Sequence, residues 1–83
     1  MRLLYFAWVR EMVGVAEEEV APPEDIRTVA ELLDWLAARG VRHADAFGNR
    51  ARLRAAVDQV FVPFETPLGT AREVAIFPPV TGG

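Results

Sequence analysis

Residues 2–9 are apolar on both alternating faces, Leu3, Tyr5, Ala7 and Val9 on one and Leu4, Phe6 and Trp8 on the other. A strand with one wet face alternates polar and apolar residues, so this run predicts a central strand covered on each side. Residues 10–14 read as a turn or short helical stub ending at Gly14, and residues 15–21 as a weaker strand made polar by Glu17, Glu18 and Glu19. Those three carboxylates suit a solvated sheet edge, where charge discourages pairing with other chains. Pro22-Pro23 ends the segment.

Thr28 and Glu31 have the spacing of a capping box, the hydroxyl accepting from a first-turn amide while the glutamate reaches back. Val29, Leu32, Leu33 and Leu36 then fall at i, i+3, i+4 and i+7, one apolar stripe of a helix packed on the sheet, with Gly40 as an expected left-handed stop. Trp35 lies off the centre of that stripe and reads as rim packing. Residues 41–50 read as a polar connection with a helical turn over 44–47, closed by Gly48-Asn49. His43 is the one histidine and has no second metal-type neighbour at helical spacing, so it reads as solvent-exposed and without a role.

Residues 54–58 and 59–62 read as two short strands about a tight turn, and residues 73–77 as a last strand entering Pro78. The count is about five strands and one main helix, an α+β roll with the helix laid across one mixed sheet. If the first and last strands are parallel neighbours, the intervening helix supplies the crossover. Alternation then places Tyr5, Val74 and Ile76 toward the helix and Phe6 and Phe77 on the opposite side. Joined by Phe61, they form an apolar patch of the kind that receives a protein partner.

The chain has 83 residues, room for one domain and one small core. With 52% hydrophobic and 25% charged residues it is built to fold rather than to stay disordered. Without cysteine there is no disulfide, thiolate nucleophile or Cys-based metal site, so any sulfur chemistry must use sulfur brought from elsewhere, and no metal site is expected. The apolar N-terminus is too short for a signal peptide and runs into Arg10-Glu11 without a small-residue cleavage site. No stretch approaches the roughly 20 apolar residues of a membrane span, so a soluble, cytoplasmic protein with no membrane partner is expected. Arg39, Arg42, Arg50, Arg52 and Arg54 form a local basic cluster, yet a net charge of -3 argues against a nucleic-acid partner. All nine cationic side chains are arginines. A lysine-free chain cannot accept an isopeptide bond on a side chain, although it could donate its own terminus.

The sequence ends in Phe77-Pro78-Pro79-Val80-Thr81-Gly82-Gly83. Pro78 and Pro79 fix φ and stiffen the segment, while Gly82 and Gly83 lack Cβ atoms and suit a narrow channel in a partner. This tail, together with Leu4-Tyr5-Phe6-Ala7, Val9-Arg10-Glu11-Met12-Val13-Gly14 and Glu73-Val74-Ala75-Ile76-Phe77, resembles the MoaD family end to end. These are the small subunits of molybdopterin synthase, ubiquitin-like β-grasp sulfur carriers.

The resemblance implies a β-grasp domain over residues 1–77 and an extended tail over 78–83. It implies that a separate ATP-using activating enzyme adenylates Gly83, that a sulfur donor converts the adenylate to a thiocarboxylate, and that the large synthase subunit receives the tail. Sulfur would pass there to cyclic pyranopterin monophosphate. Pro78, Pro79, Val80, Thr81 and Gly82 would thread into the partner, and Phe6, Phe61 and Phe77 would contact it, in a heterotetramer of two small and two large subunits. The chain itself would be inactive alone and bind no cofactor. Two departures from the family pattern fall at expected turns, Asp58 where Val-Asn-Gln is common and Ala71-Arg72 where Gly-Asp is common. Other uses of such a chain are sulfur delivery for thiamine or tRNA thiolation, conjugation through Gly83 to lysines of target proteins, and a binding domain with no tail chemistry.

Overall fold

A computed structural model describes residues 1–79 and opens with strand β1, Arg2–Tyr5. The expected longer strand is cut there, because Ala7 turns into left-handed backbone (φ 52) and Phe6 O accepts from the amides of Val9 and Arg10. Helix α1, Ala7–Val13, follows and buries Val9 and Val13, one helical turn apart. Residues 7–9 are therefore helical rather than extended, and their apolar character serves a helix face. Gly14 closes α1 in left-handed backbone (φ 97), its amide donating to Arg10 O at 2.8 Å. A Cβ at this position would strike the Arg42 guanidinium.

Strand β2, Glu17–Glu19, pairs antiparallel with β1. The capping box forms as expected: Thr28 Oγ1 accepts from the Glu31 amide and Glu31 Oε1 accepts from the Thr28 amide, both at 3.1 Å. Helix α2, Val29–Ala37, buries Val29, Leu32, Leu33 and Leu36. It ends before Gly40, on a right-handed Ala38 cap, and Gly40 is extended and leads into the next helix instead of stopping this one. Residues 41–50 are also more ordered than a polar connection: helix α3, Val41–Phe47, buries Ala46 and Phe47, and a 3-10 turn covers Arg50–Arg52. Trp35 is half-buried at the core's margin with the Arg39 guanidinium 5.0 Å from its ring.

Strands β3, Arg54–Val57, and β4, Val60–Val62, form a hairpin, and β5, Glu73–Phe77, completes a sheet of order β2-β1-β5-β3-β4. The hairpin turn is Asp58-Gln59, both at positive φ, the geometry that matches the twist of a two-residue connection. The first and last strands are parallel neighbours and every other pairing is antiparallel. The three helices cover one face, where Leu3, Tyr5, Val74, Ile76 and Ala55 meet the α2 stripe and Phe47. The segment after β4 crosses the start of α2, accepting from the Val29 and Ala30 amides through Thr66 O and Phe64 O, and inserts Leu68 into the core.

Candidate functional site

The second face of the sheet carries no helix, and its shape follows from strand register. Ala56 on β3 sits opposite Ala75 on β5 and also opposite Phe61 on β4, while Leu4 on β1 pairs with Ala75 from the other side. Two adjacent methyl side chains make a low floor between larger neighbours. Phe6, Phe61 and Phe77 rise around it, and with Gln59 they line an apolar depression of about 410 Å³. Phe61 and Phe77 rings lie 5.1 Å apart, within the range for a favourable aromatic pair. Phe61 is 71% exposed and Phe6 48%, a large solvent cost for aromatic rings in so small a domain.

The three aromatics named from sequence thus surround one depression. What that reading lacked is the alanine floor, signalled only by small residues at alternate positions of β3 and β5. Pro78 and Pro79 follow β5 directly, so the tail leaves the sheet beside Phe77, whose strand neighbour in register is Arg54. Val80, Thr81, Gly82 and Gly83 lie outside the described residues.

Toward the opposite end of the same face, Arg2, Glu19, Asp58, Gln59, Arg72 and Glu73 line a polar depression of about 390 Å³. Its groups largely satisfy one another. Arg2 donates to Glu73 Oε1 at 3.0 Å, and Asp58 Oδ1 accepts from the Arg72 and Glu73 amides at 3.0 and 3.1 Å. The two departures from the family pattern therefore touch: the carboxylate at position 58 holds the backbone at position 72.

Sequence reasoning missed a polar cluster beneath the edge strand. Tyr5 Oη donates to Glu18 Oε2 at 2.6 Å, and His43 Nε2 lies 2.7 Å from the same oxygen. An ionised carboxylate only accepts, so Nε2 carries the hydrogen. His43 is largely buried, its ring edge-on to Tyr5 and Phe47, not solvent-exposed as its isolation in sequence implied. The available signal was Tyr5 itself, an inward tyrosine whose hydroxyl needs a partner. Burial alone would push the Glu18 carboxyl up, but hydrogen bonds from Tyr5 and His43 and the charges of His43 and Arg39 hold it below its usual range. The cluster ties β1, β2 and α3 together on the side away from the apolar depression, and no three His, Cys, Asp or Glu side chains among the described residues converge to hold a metal.

The ThiS family profile matches residues 3–83. A molybdopterin synthase sulfur carrier subunit of Escherichia coli (strain K12) is 47% identical over 83 residues, covering all of this chain and 99% of the relative. One from Haemophilus influenzae is 34% identical with the same coverage. Among solved structures, a Pyrococcus furiosus protein described as molybdopterin converting factor, subunit 1, superposes with a TM-score of 0.74 at 30% identity over 95% of both chains. SAMP1 from Haloferax volcanii superposes with a TM-score of 0.73 at 24% identity, over all of this chain and 98% of the other, and speaks to the fold alone.

Proposed function

Because the chain belongs to the ThiS family, among its molybdopterin synthase sulfur carriers, we propose that it is the sulfur-carrying small subunit of a molybdopterin synthase. The observation that carries the reading is that the family match extends to residue 83, on a β-grasp sheet whose last strand ends at Phe77, in the wall of an apolar depression.

Gly83 is the reacting residue in this proposal. A carboxylate is a poor electrophile, since its charge is delocalised and its leaving group would be oxide. An activating enzyme therefore joins the Gly83 carboxylate to the AMP portion of ATP, releasing pyrophosphate. A sulfide-level sulfur from a donor then attacks the acyl carbon, forming the C–S bond as the C–O bond to AMP breaks, and leaves a C-terminal thiocarboxylate with AMP as leaving group. Delivered into the large subunit, that sulfur attacks cyclic pyranopterin monophosphate, and hydrolysis returns the carboxylate for another round. Acid and base groups belong to the partners, while this chain contributes aim and reach.

Pro78 and Pro79 favour an extended strut, so ordering the tail costs less entropy than for a flexible linker. Six extended residues from Pro78 to Gly83 reach roughly 20 Å, enough to place Gly83 in a neighbour's pocket while the domain stays outside. Phe6, Phe61 and Phe77 dock that domain. The assembly is a heterotetramer of two small and two large subunits, in the cytoplasm.

Intact mass spectrometry after incubation with activating enzyme, ATP and a sulfur donor tests the chemistry. A gain of about 16 Da, oxygen exchanged for sulfur at the C-terminus, is expected. An unchanged mass under conditions that load a known carrier refutes the reading.

A further inference from the structure

The uncovered face is electrically lopsided. At the end away from the tail, Glu19 on β2 lies with Asp58 and Glu73 around Arg2 and Arg72, and Arg2 is paired with Glu73. At the tail end the charge is positive. Arg54 stands opposite Phe77 in register, two residues before Ala56 of the depression floor and so on the same face. Arg52 lies two residues earlier, at the end of the 3-10 turn, its guanidinium 4.7 Å from the centroid of the Trp8 ring.

Both guanidiniums are exposed yet anchored. Arg54 Nη1 donates to Leu53 O at 2.7 Å and to Ala51 O at 3.4 Å, and Arg52 is held by its aromatic neighbour. Among the described residues neither makes an ion pair. Glu65, which shares a neighbouring depression with Arg54, makes none with it either. Carbonyl and aromatic anchors fix the position of a cation without cancelling its charge, whereas Arg50, a few residues earlier, is neutralised by Asp34 at 2.7 Å. Arg54 is therefore a positioned, uncompensated cation opposite the last residue of β5, and Arg52 is a second one two residues before it, on a protein of net charge -3.

We propose that Arg52 and Arg54 are the electrostatic half of the docking face and meet carboxylates on the rim of the large subunit's tail-accepting channel. The inference rests on the sulfur-carrier reading. With the tail in a channel, the channel's mouth must lie against the tail root, which Arg54 borders in register and Arg52 precedes by two residues. A guanidinium fork matches a carboxylate in a two-bond geometry, and the acidic far end would repel the same rim, so the charge gradient fixes how the domain is rotated as it docks.

The test is affinity for the large subunit from about 50 to about 400 mM salt, using the full chain and its variants. Wild-type binding should weaken as salt rises. R52Q/R54Q should bind about tenfold more weakly at low salt and show a flattened salt dependence. R52K/R54K, which keeps the charge, should retain most of the slope and guards against a folding artefact in the glutamine pair. F61A should weaken binding with the wild-type slope intact. Wild-type affinity and slope in R52Q/R54Q would overturn the proposal. So would unchanged affinity paired with a raised KM of that variant in adenylation, which would assign the arginines to the activating enzyme. Salt-independent wild-type binding overturns this inference alone, whereas absence of wild-type binding overturns the carrier reading with it.

Discussion

Two hydrogen bonds converge on one oxygen of Glu18, from Tyr5 Oη and His43 Nε2. Tyr5 is held far above its ordinary pKa, first by burial and then by the bond to Glu18 and its charge, with Arg39 opposing, so it remains a neutral donor. Tyr5→Phe keeps the ring and removes the donor; it should cost about 1–3 kcal/mol of stability in urea denaturation near pH 7, as for a hydrogen bond to a charged group. Glu18 supplies a pH test. Its folded pKa lies below the ordinary 4.5, so in that window the unfolded chain binds more protons and stability rises with pH. The contribution is fully present above 4.5 and is lost as pH falls through the lower, folded-state value. The stability gap between wild type and Glu18→Gln should therefore narrow as pH drops from 6 toward about 3, and a gap independent of pH would remove the ionised carboxylate from this role.

At the scale of elements, Gly14 shows how local backbone and tertiary contact combine. Gly14→Ala puts a Cβ into left-handed backbone and against Arg42, and should lower unfolding free energy by about 1–2 kcal/mol. The hairpin turn makes a similar case. Asp58→Ala should cost about 2 kcal/mol by removing the acceptor of two amides at a positive-φ position, whereas Asp58→Asn keeps an acceptor and a left-handed preference and should stay within about 0.5 kcal/mol of wild type. Thermal or urea melts of the variants check all of these. What could be read from sequence divides along the same line. Helix α2, its cap and the last three strands were legible because stripe, capping box and alternation are encoded within a few residues. Helix α1 was not, since Ala7-Trp8-Val9 is apolar enough for a strand or a helix face and only the left-handed Ala7 decides. The ordered α3 and the role of His43 were hidden for another reason: its partner Glu18 is 25 positions away, and short-range spacing carries no trace of it. The aromatic depression was legible as three residues but not as a shape, because the Ala56 and Ala75 floor depends on pairing across strands.

For the whole molecule, aim and chemistry fall on different parts of the chain if it is a sulfur carrier. On that reading the uncovered sheet face would contribute affinity and the tail the reacting atom, so each could be damaged alone. Phe61 is largely exposed and contributes little to the core, so Phe61→Ala should melt within a few degrees of wild type. Binding to the large subunit should nevertheless weaken about tenfold, a loss near 1.4 kcal/mol typical of an aromatic contact, while sulfur transfer at saturating large subunit stays near the wild-type rate. Adding one alanine after Gly83 should do the reverse. It moves the carboxylate by roughly 3.5 Å, beyond the tolerance of an adenylation site, and leaves the sheet face untouched. The extended chain should bind the large subunit with near wild-type affinity and show no mass gain with activating enzyme, ATP and sulfur donor. Normal loading of the extended chain would sink the assignment of Gly83, and a Phe61→Ala variant that binds as wild type would remove that ring from the docking face.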